Sequence, residues 1–586
     1  MTLPTQNAVP SSAKNDQLFN AEKIDQVVNS DDLQYTDRFG KKRFTFSGLY
    51  NIIQTWVASL SDTTGAGSVG IAQGGYIQQS LLEVTPMMQG AVGDGVADDS
   101  QALIKTFTTA KTLGLRVKID RAYLCSSALA VSGPLYLEGI NPETGKIIFT
   151  NKDDFGLYIT QIKSTDFITI KNISITAGAK IVNPKGLLTI DGSSQLTTDQ
   201  SAGKYLLADR TIRRGLLDNV NLDCLSGNYA VNYLNIISWM NYSVRNILIR
   251  GSRDNLSALT NGILLNGDGF PVDIHMTDLL MYNLGRAINS VDYVEGLHIS
   301  EFEFVNVLRG ISADYDSNYS KLSSSVCGCY GPMIHTGHVN LGTMTGADSC
   351  IYIKNTVTPR IKDLLLFNSA GAAVTNSYGV YVYGSTSGGE ISSVYVAGGG
   401  AANTKTNNYS IRVYGANGLN IKDCTGSYAG AVVYLEGVST NCVISGNSGI
   451  STTNVVYIFS ANNANNKITS DNSGIGITDK VVGGDPSGSY VEPLIWQRKY
   501  TLNLAAAKDA GTSFTFNVPI PGGNFGVAPD AAFATLPSNL IGQFSYNPSA
   551  SSATSLNVTI YFISAAAIGS YDILISAAGF GVSRTQ

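Results

Sequence analysis

Charged residues are scarce in this chain, and their scarcity excludes several classes of protein. Asp, Glu, Lys and Arg make up 14% of the 586 residues, well below the usual share in a globular domain. A disordered chain would be rich in charge and poor in apolar residues, whereas 44% of this chain is hydrophobic. The formal net charge of −5 gives no basic surface for nucleic acid. No apolar run approaches the roughly 20 residues of a membrane span, so we expect none.

Cysteine is also sparse. The 7 cysteines are scattered between Cys125 and Cys442, and their odd number and irregular spacing exclude a disulfide framework. The only close pair is Cys327 and Cys329, with no second pair at zinc-finger spacing. We therefore expect buried, small apolar cysteines, no metal site and no cofactor. The abundance of glycine, asparagine, serine and threonine instead favours a β-rich body with many tight turns.

The first residues differ in character from the body. "YTDRFGKKRFTFSGL" carries most of the positive charge of this segment, and "GAGSVGIAQGG" is typical of a linker. Between them, behind Ser47 as a candidate N-cap, apolar residues recur at helical spacing: Leu49, Ile52, Ile53, Trp56 and Leu60. The spacing predicts a helix.

A second helix is predicted in "MQGAVGDGVADDSQALIKTFTTAKTLG", where glycines force a tight backbone before an apolar stripe. Asp98 and Asp99 stand where an N-cap and a first-turn acid belong, and Gly114 is suited to the helix end. This stretch resembles the "FGAxGDGxxDDTxAIxxAI" opening of pectate-lyase-like, right-handed β-helix proteins, which is frequent in bacteriophage tailspikes and capsule depolymerases. In that family the helix covers the open end of the solenoid, which implies structural roles for Asp94, Asp98 and Asp99.

The resemblance implies an all-β chain: a right-handed parallel β-helix with a short helical N-terminal region and a C-terminal β-sandwich-like domain. Residues 1–85 would attach to the phage tail or to another tail fibre protein. Residues 86–482 would form the β-helix with its capping helix, and residues 483–586 a trimerisation or carbohydrate-binding domain. The protein would be a homotrimer of the virion that acts at the host surface on capsular or O-antigen polysaccharide.

The body repeats two kinds of strand every 20 to 35 residues or so. The first kind includes "ITIKNISIT", "YSVRNILIR" and "LHISEFEFVN"; the second includes "NGILLNGD", "GRAINSVD" and "YGVYVYG". In the first kind an Asn or acid recurs at mid-strand, as expected of a turn position: Asn172, Asn246, Asp278, Glu301, Asp363 and Asp423. Glu301 is thereby predicted to be structural.

Carboxylates crowd around "SVDYVEGLHISEFEF", where four acids occur without a lysine or an arginine. Asp268, Asp292 and Asp316 follow successive strands of the second kind, with Asp314 close by, so we expect carboxylates stacked on neighbouring coils about 4.8 Å apart. Glu295 shares a turn with Asp292. Paired carboxyl groups at such spacing are what glycoside hydrolysis requires. The candidate catalytic residues are Asp292, Glu295, Asp314, Asp316 and Asp268.

Several outward positions are candidates for substrate binding. His275, His298 and Arg360 share one column and would bind an acidic sugar or face water. Tyr352, Tyr381, Tyr383, Tyr395 and Tyr414 would stack on sugars or pack between chains.

Two other functions stay open beside hydrolysis. A polysaccharide lyase would need a proton acceptor and a group that neutralises a uronate, for which Arg309, Tyr315, His298 and Arg360 are candidates. A non-enzymatic adhesin would bind polysaccharide without shortening it. A catalytic site between subunits would bring together acids that one chain does not reveal.

Overall fold

The computed structural model describes most of the chain. The described residues are 12–60, 82–152, 154–163, 165–193, 198–199, 204–205, 214–238, 240–255, 259–266, 272–292, 294–315, 329–342, 348–368, 376–398, 408–458, 463, 465–469, 471–475, 479–482, 490–491, 494–520, 528–529, 531–552 and 554–579. The chain divides into two compact units, Met1–Val84 and Thr85–Gln586. No helix among these residues is long and apolar enough to cross a membrane.

The first unit contains two helices and short strands: α1 Lys14–Asn29, β1 Gln34–Thr36, β2 Lys42–Phe44, α2 Phe46–Leu60 and β3 Glu83–Val84. The helix predicted behind Ser47 is α2, but its N-cap is Thr45. The Thr45 hydroxyl accepts a hydrogen bond from the Gly48 amide at 3.0 Å, while the Ser47 hydroxyl donates to the Ser30 carbonyl. The choice of Ser47 was wrong because the helix begins at Phe46, two residues before the start that a cap at Ser47 requires.

The second unit opens with helix α3, Ser100–Leu113, which ends at Gly114 as predicted. Its stripe of Leu103, Phe107 and Ala110 is buried. The Asp98 carboxylate accepts from the side chain of Ser100, and from the side chain and backbone of Ser126 at 2.6 and 3.2 Å, and these bonds lower its pKa to about 2. Asp99 accepts from the amides of Val92 and Gly93. These acids fix the tight backbone before the helix.

A long parallel solenoid follows. Its strands are β4 Asp94–Asp98, β5 Arg116–Ile119, β6 Ala122–Cys125, β7 Leu129–Ser132, β8 Leu135–Gly139, β9 Lys146–Phe149, β10 Leu157–Thr160, β11 Ile168–Ala177, β12 Leu188–Asp191, β15 Gly215–Cys224, β16 Asn232–Ile237, β17 Met240–Arg250, β18 Asn261–Asn266, β19 Val272–Val291, β20 His298–Asp314, β22 Met333–Leu341, β23 Ser349–Lys354, β25 Arg360–Phe367, β26 Tyr378–Tyr383, β27 Glu390–Ala397, β28 Tyr409–Tyr414, β29 Asn420–Lys422, β30 Thr425–Ser427, β31 Ala431–Glu436, β32 Val443–Ser445, β33 Ser448–Ile450, β34 Asn454–Ile458, β35 Lys467–Ile468, β36 Ser473–Ile475, β37 Asp479–Val482 and β38 Tyr490–Val491. Two further pairs lie outside this sheet: β13 Thr198–Asp199 with β14 Lys204–Tyr205, antiparallel, and β21 Cys329–Tyr330 with β24 Thr356–Val357, parallel.

The register of these strands defines three parallel sheets. Sheet A runs β5–β8–β11–β15–β17–β19–β20–β22–β25–β27–β29–β32–β35–β38 through the first part of each strand of the first kind, and sheet B continues from it through the second part. Sheet C runs β7–β10–β12–β16–β18–β19–β20–β23–β26–β28–β31–β34–β37. Each coil therefore contributes to three sheets rather than to the two that the repeating strands in the sequence indicate, because each strand of the first kind bends in the middle.

Stacked aliphatic side chains fill the interior of the solenoid. From β18 to β34, one inward column of sheet C contains only Ile and Val, all of them fully buried: Ile263, Ile288, Ile311, Ile351, Val380, Ile411, Val433 and Val456. Each coil covers the apolar edge of the next, so no coil has to bury its core alone. Cys125, Cys350, Cys424 and Cys442 are buried free thiols, as the cysteine pattern predicts.

The bend between sheets A and B confirms the predicted turn ladder. The residue at this corner adopts a left-handed backbone with φ between 51° and 56° in coil after coil. The column contains Asn172, Asn219, Asn246, Asp278, Glu301, Thr336, Asp363, Ser393 and Asp423. Asn and Asp tolerate this conformation better than other non-glycine residues, which explains the recurrence. Glu301 is thus a corner residue, as predicted.

Beyond the solenoid the strands become antiparallel. They are β39 Leu494–Leu504, β40 Ser513–Pro519, β41 Ala531–Thr535, β42 Gly542–Tyr546, β43 Ser555–Phe562 and β44 Gly569–Gly579. They form two sheets of order β39–β44–β41 and β40–β43–β42, with alternate residues such as Val558, Ile560 and Ile573 buried. The predicted C-terminal β-sandwich is confirmed.

Candidate functional site

The outer face of sheet C carries a continuous layer of tyrosines, here called the tyrosine face. It consists of Tyr352, Tyr378, Tyr381, Tyr383, Tyr409, Tyr414 and Tyr434 of β23, β26, β28 and β31. Tyr378, Tyr409 and Tyr434 are buried within this layer, while the other four are partly exposed. Tyr409 and Tyr434 stack with their ring centroids 3.9 Å apart, and Tyr383 and Tyr414 stack at 5.0 Å. Of the tyrosines predicted to face outward, Tyr395 lies instead on sheet B, in β27.

Each acid on the tyrosine face contacts a base. The Asp314 carboxylate lies 2.8 Å from the Lys354 ammonium, and Asp348 and Glu436 pair with arginines. The Asp314 side chain keeps 42% of its surface exposed, more than either of the other two acids. Asp314 and Asp348 are therefore about equally accessible to a large substrate, and Glu436 is less accessible.

Two arginines lie against tyrosine rings. The Arg309 guanidinium lies 4.3 Å from the centroid of Tyr352, and Arg412 lies 4.8 Å from that of Tyr381. Arg309 donates from Nε to Asp348 at 2.9 Å and from Nη1 to Ser312 at 3.2 Å. Its donors thus hold the face together, which leaves less of the guanidinium for a substrate than predicted. Burial, followed by the charge of Asp314, raises the pKa of Tyr352 to about 12.

The predicted column of acids is corrected by the strand register. Asp314 stands beside Val291 and Lys354, so it does not share a column with Asp292. The Asp292 amide donates to the Asp314 carbonyl at 3.2 Å, which places Asp292 one position further along the neighbouring coil. The two acids are diagonal neighbours at the corner where sheet C leads into sheet A. The alignment failed because it matched acids to each other rather than to the inward aliphatic residues.

The left-handed backbone at Asp292 gives this residue a structural role as well. Its φ is 63°, and residues in the same position of other coils, Asn355 and Gly384, are left-handed as well. Glu295 begins the next turn, where its carbonyl accepts from the Asp273 amide at 2.9 Å. Asp268 and Asp316 lie outside the described residues.

Tyr315 is not accessible to a substrate. Its side chain is fully buried, and its hydroxyl lies 2.9 Å from Oγ of Ser290 inside the coil. The prediction that it contacts the polysaccharide is wrong because the strand ends at Asp314 and the next side chain points inward.

The outer face of sheet A carries a row of imidazoles. Nδ1 of His298 lies 3.3 Å from Nδ1 of His275, and Nε2 of His298 lies 2.8 Å from Nε2 of His335. The register also places His275 and His298 in one column with Met333 and Arg360, as predicted. Burial, together with the two neighbouring imidazoles, lowers the pKa of His298.

Next to the imidazoles is a groove of about 330 Å³, here called the histidine groove. It is lined by Met333, His335, Arg360, Ile361, Lys362, Glu390 and Ser392. Glu390 lies 3.2 Å from Lys422 and accepts from Ser392 at 2.8 Å, contacts that lower its pKa. Among the described residues, neither Arg360 nor Lys362 has a carboxylate at ion-pair distance.

Sequence reasoning missed Asp348, Lys354, Arg412 and Glu436, whose contacts join residues 24 to 40 positions apart. It also assigned no substrate-binding role to His335. His335 stands two residues after Met333 in "MIHTGH", just as Lys362 stands two residues after Arg360 in "RIKD". This shared position could have indicated the groove.

Comparisons with known proteins agree with this architecture. No family model matches the chain. Its sequence is 30% identical over 180 residues to the capsule K30/K69-specific depolymerase of Klebsiella phage K64-1, and 28% identical to depolymerase 1, with the same specificity, of Klebsiella phage K5-2. These matches cover 29% of the chain and only about a fifth of either relative.

A solved tailspike mutant of E. coli bacteriophage HK620, in complex with a pentasaccharide, superimposes on 90% of the chain and all of its own length. The TM-score is 0.57 at 11% identity. The chain has the right-handed β-helix fold of the phage tailspikes. The resemblance seen around the "GDG" segment is thereby confirmed for the tailspike fold over most of the chain.

Proposed function

We propose that the chain is a phage tailspike that binds bacterial capsular or O-antigen polysaccharide and cleaves its glycosidic bonds by hydrolysis. The observation that carries this proposal is the tyrosine face ending at the exposed carboxylate of Asp314. Aromatic rings offer an apolar surface to sugar rings, while their hydroxyl groups and the neighbouring ions bind sugar hydroxyls. The likeness to capsule depolymerases, and to a tailspike crystallised with an oligosaccharide, supports the same reading.

Asp314 and Asp292 are the proposed catalytic pair. Asp314 is ion-paired with Lys354, which suits the carboxylate that attacks the anomeric carbon or activates water. Asp292 would protonate the leaving oxygen, with Glu295 as the nearest alternative. A separation of about 5–5.5 Å between their carboxyl groups would give retention, and one of about 6.5–9.5 Å would give inversion. Asp268 and Asp316 remain predictions for the same corner.

A lyase is the second candidate, and the histidine groove favours it. Elimination at a uronate needs a base near the carbon that loses its proton and a cation that neutralises the carboxylate. Imidazoles of His298 and His335 next to Arg360 and Lys362 provide both kinds of group.

The test is to incubate the full chain with a panel of purified polysaccharides that includes the K30 and K69 capsules. Hydrolysis predicts a loss of polymer size and new reducing ends without new ultraviolet absorbance. A lyase would generate an unsaturated product that absorbs in the ultraviolet. Binding without a loss of size would identify an adhesin and overturn the proposal.

The proposed trimer has a candidate contact in the first unit. Phe46, Leu49, Ile53 and Trp56 follow the a/d spacing of a coiled coil along α2, and between 45% and 57% of each side chain is exposed. We propose that three copies of α2 pack along this seam and that the first unit connects the spike to the phage tail or to another tail fibre protein.

Replacing Ile53 by Asp should disrupt this packing, because it places a carboxylate in the seam. Limited proteolysis should cleave the first unit of Ile53→Asp at least about tenfold faster than that of the wild type. The matched control is Gln54→Asp, which adds the same charge outside the a/d positions. Equal cleavage rates for the two variants would exclude the seam.

A further inference from the structure

The imidazoles on sheet A lie so close together that a positive charge on one disfavours a positive charge on the next. His298 uses both ring nitrogens, one toward His275 and one toward His335. An added proton would place positive charge beside two further imidazoles and close to the cations of the groove. Protonation of these imidazoles is therefore unfavourable unless an anion binds beside them.

The histidine groove already holds unbalanced positive charge. Glu390 is the one carboxylate among the lining residues: it lies 3.2 Å from Lys422 and next to Arg360 in the strand register, so three cations face a single carboxylate. Arginine binds planar carboxylates through two parallel hydrogen bonds, and lysine adds a point charge. The groove combines these donors with the concave shape of a ligand site.

We propose that the histidine groove binds a carboxylate of the polysaccharide, so that the substrate is an acidic polymer containing uronate or a similar carboxyl-bearing sugar. Arg360 and Lys362 bind the carboxylate, and His335 with His298 supplies a further donor that strengthens on protonation. This inference rests on the proposed function for the identity of the ligand, but the groove can be tested without cleavage.

The groups facing the imidazole row set the direction of the pH dependence. They are His275 on β19, His335 on β22, Arg360 and Lys362 on β25 and, further along the groove, Glu390 and Lys422. A bound carboxylate adds negative charge, which favours protonation of the row. Binding therefore takes up protons, and affinity should rise as the pH falls from about 8 to about 6.

The experiment measures binding of the full chain to immobilised capsular polysaccharides, in the cold, before and after carbodiimide-mediated reduction of their carboxyl groups to alcohols. We expect reduction to weaken binding by about tenfold or more, because a charge-assisted contact is lost. Phosphate and sulfate substituents survive this treatment, so they serve as the internal control for other anions.

The variant Arg360→Gln/Lys362→Gln should lower the affinity for the untreated polymer about as much as carboxyl reduction does. Lys171→Gln is the matched control, since Lys171 occupies the same outward column as His335 several coils away. His298→Gln should flatten the pH dependence while leaving the chain folded.

Equal affinity for native and reduced polymers, or equal effects of the groove variant and Lys171→Gln, would overturn the inference. So would a groove variant that changes the oligomeric state instead of binding, because the cations would then belong to a subunit contact. If the polymer binds through its carboxyl groups but is never shortened, the groove stands while the proposed hydrolysis fails. If the polymer is shortened equally well after reduction, hydrolysis stands and the groove fails.

Discussion

Replacing Asp314 by asparagine should lower kcat for polysaccharide cleavage by about 10³-fold while leaving the chain folded. Asparagine has nearly the same shape and can still accept a hydrogen bond from Lys354, but it neither attacks the anomeric carbon nor removes a proton from water. KM should change little, because the tyrosine face remains intact. The measurement is the rate at which reducing ends appear, together with a thermal melt of the variant.

The matched control is Glu301→Gln, which removes a carboxylate from the same strand, β20, at the left-handed corner between sheets A and B. Its rate should equal that of the wild type. Asp292→Asn separates the two roles of Asp292, because asparagine tolerates the left-handed backbone but is not an acid. Full activity of Asp314→Asn, together with a loss of activity in Asp348→Asn, would contradict the proposal and assign the catalytic role to Asp348.

Replacing Asn447 by leucine should lower the free energy of unfolding by about 2–6 kcal/mol. The buried Asn447 side chain accepts from the Cys424 amide at 3.0 Å and donates to the Ile421 carbonyl at 3.2 Å. It also donates to Asn472 of the next coil at 3.0 Å. Leucine fills a similar volume but leaves these backbone groups buried without that partner. Denaturant titration, or the rate of unfolding where refolding is incomplete, measures the loss.

The control for this variant is Asn417→Leu, whose amide lies at the surface and accepts from Asn441 at 2.8 Å. Water can replace that bond, so less than about 1 kcal/mol should be lost. The double variant Asn447→Leu/Asn472→Leu should cost less than the sum of the single variants, because the two side chains share a hydrogen bond. Strict additivity of the two losses would show that Asn447 and Asn472 are not energetically coupled.

The sequence predicted those features of the fold that depend on local backbone chemistry. Asn172 and Asp363 marked the corner between sheets A and B because left-handed residues are drawn from a short list. Helix α3 was recognised by its glycines and its apolar stripe. The choice of Ser47 over Thr45 as the cap of α2 failed because a hydroxyl at either position fits the sequence pattern, and only the position of the first turn distinguishes them.

The candidate site was harder to predict because its contacts cross between coils. Arg309 and Asp348 are 39 residues apart, and no periodicity connects them. The register error at Asp292 had a physical source as well: a shift of one residue along a strand exchanges its inward and outward faces, and only the buried aliphatic column fixes it. Tyr315 was assigned to the wrong face for the same reason.

The aliphatic columns and left-handed corners have a consequence for evolution. They hold every coil in place through inward side chains and backbone handedness, while the outward positions of β20, β23 and β26 carry aspartate, lysine and tyrosine in the same column. Selection can therefore exchange the outward residues with little penalty to folding. For the proposed tailspike, adaptation to a different bacterial polysaccharide would then require only the replacement of outward residues, one at a time, on a scaffold whose architecture does not change.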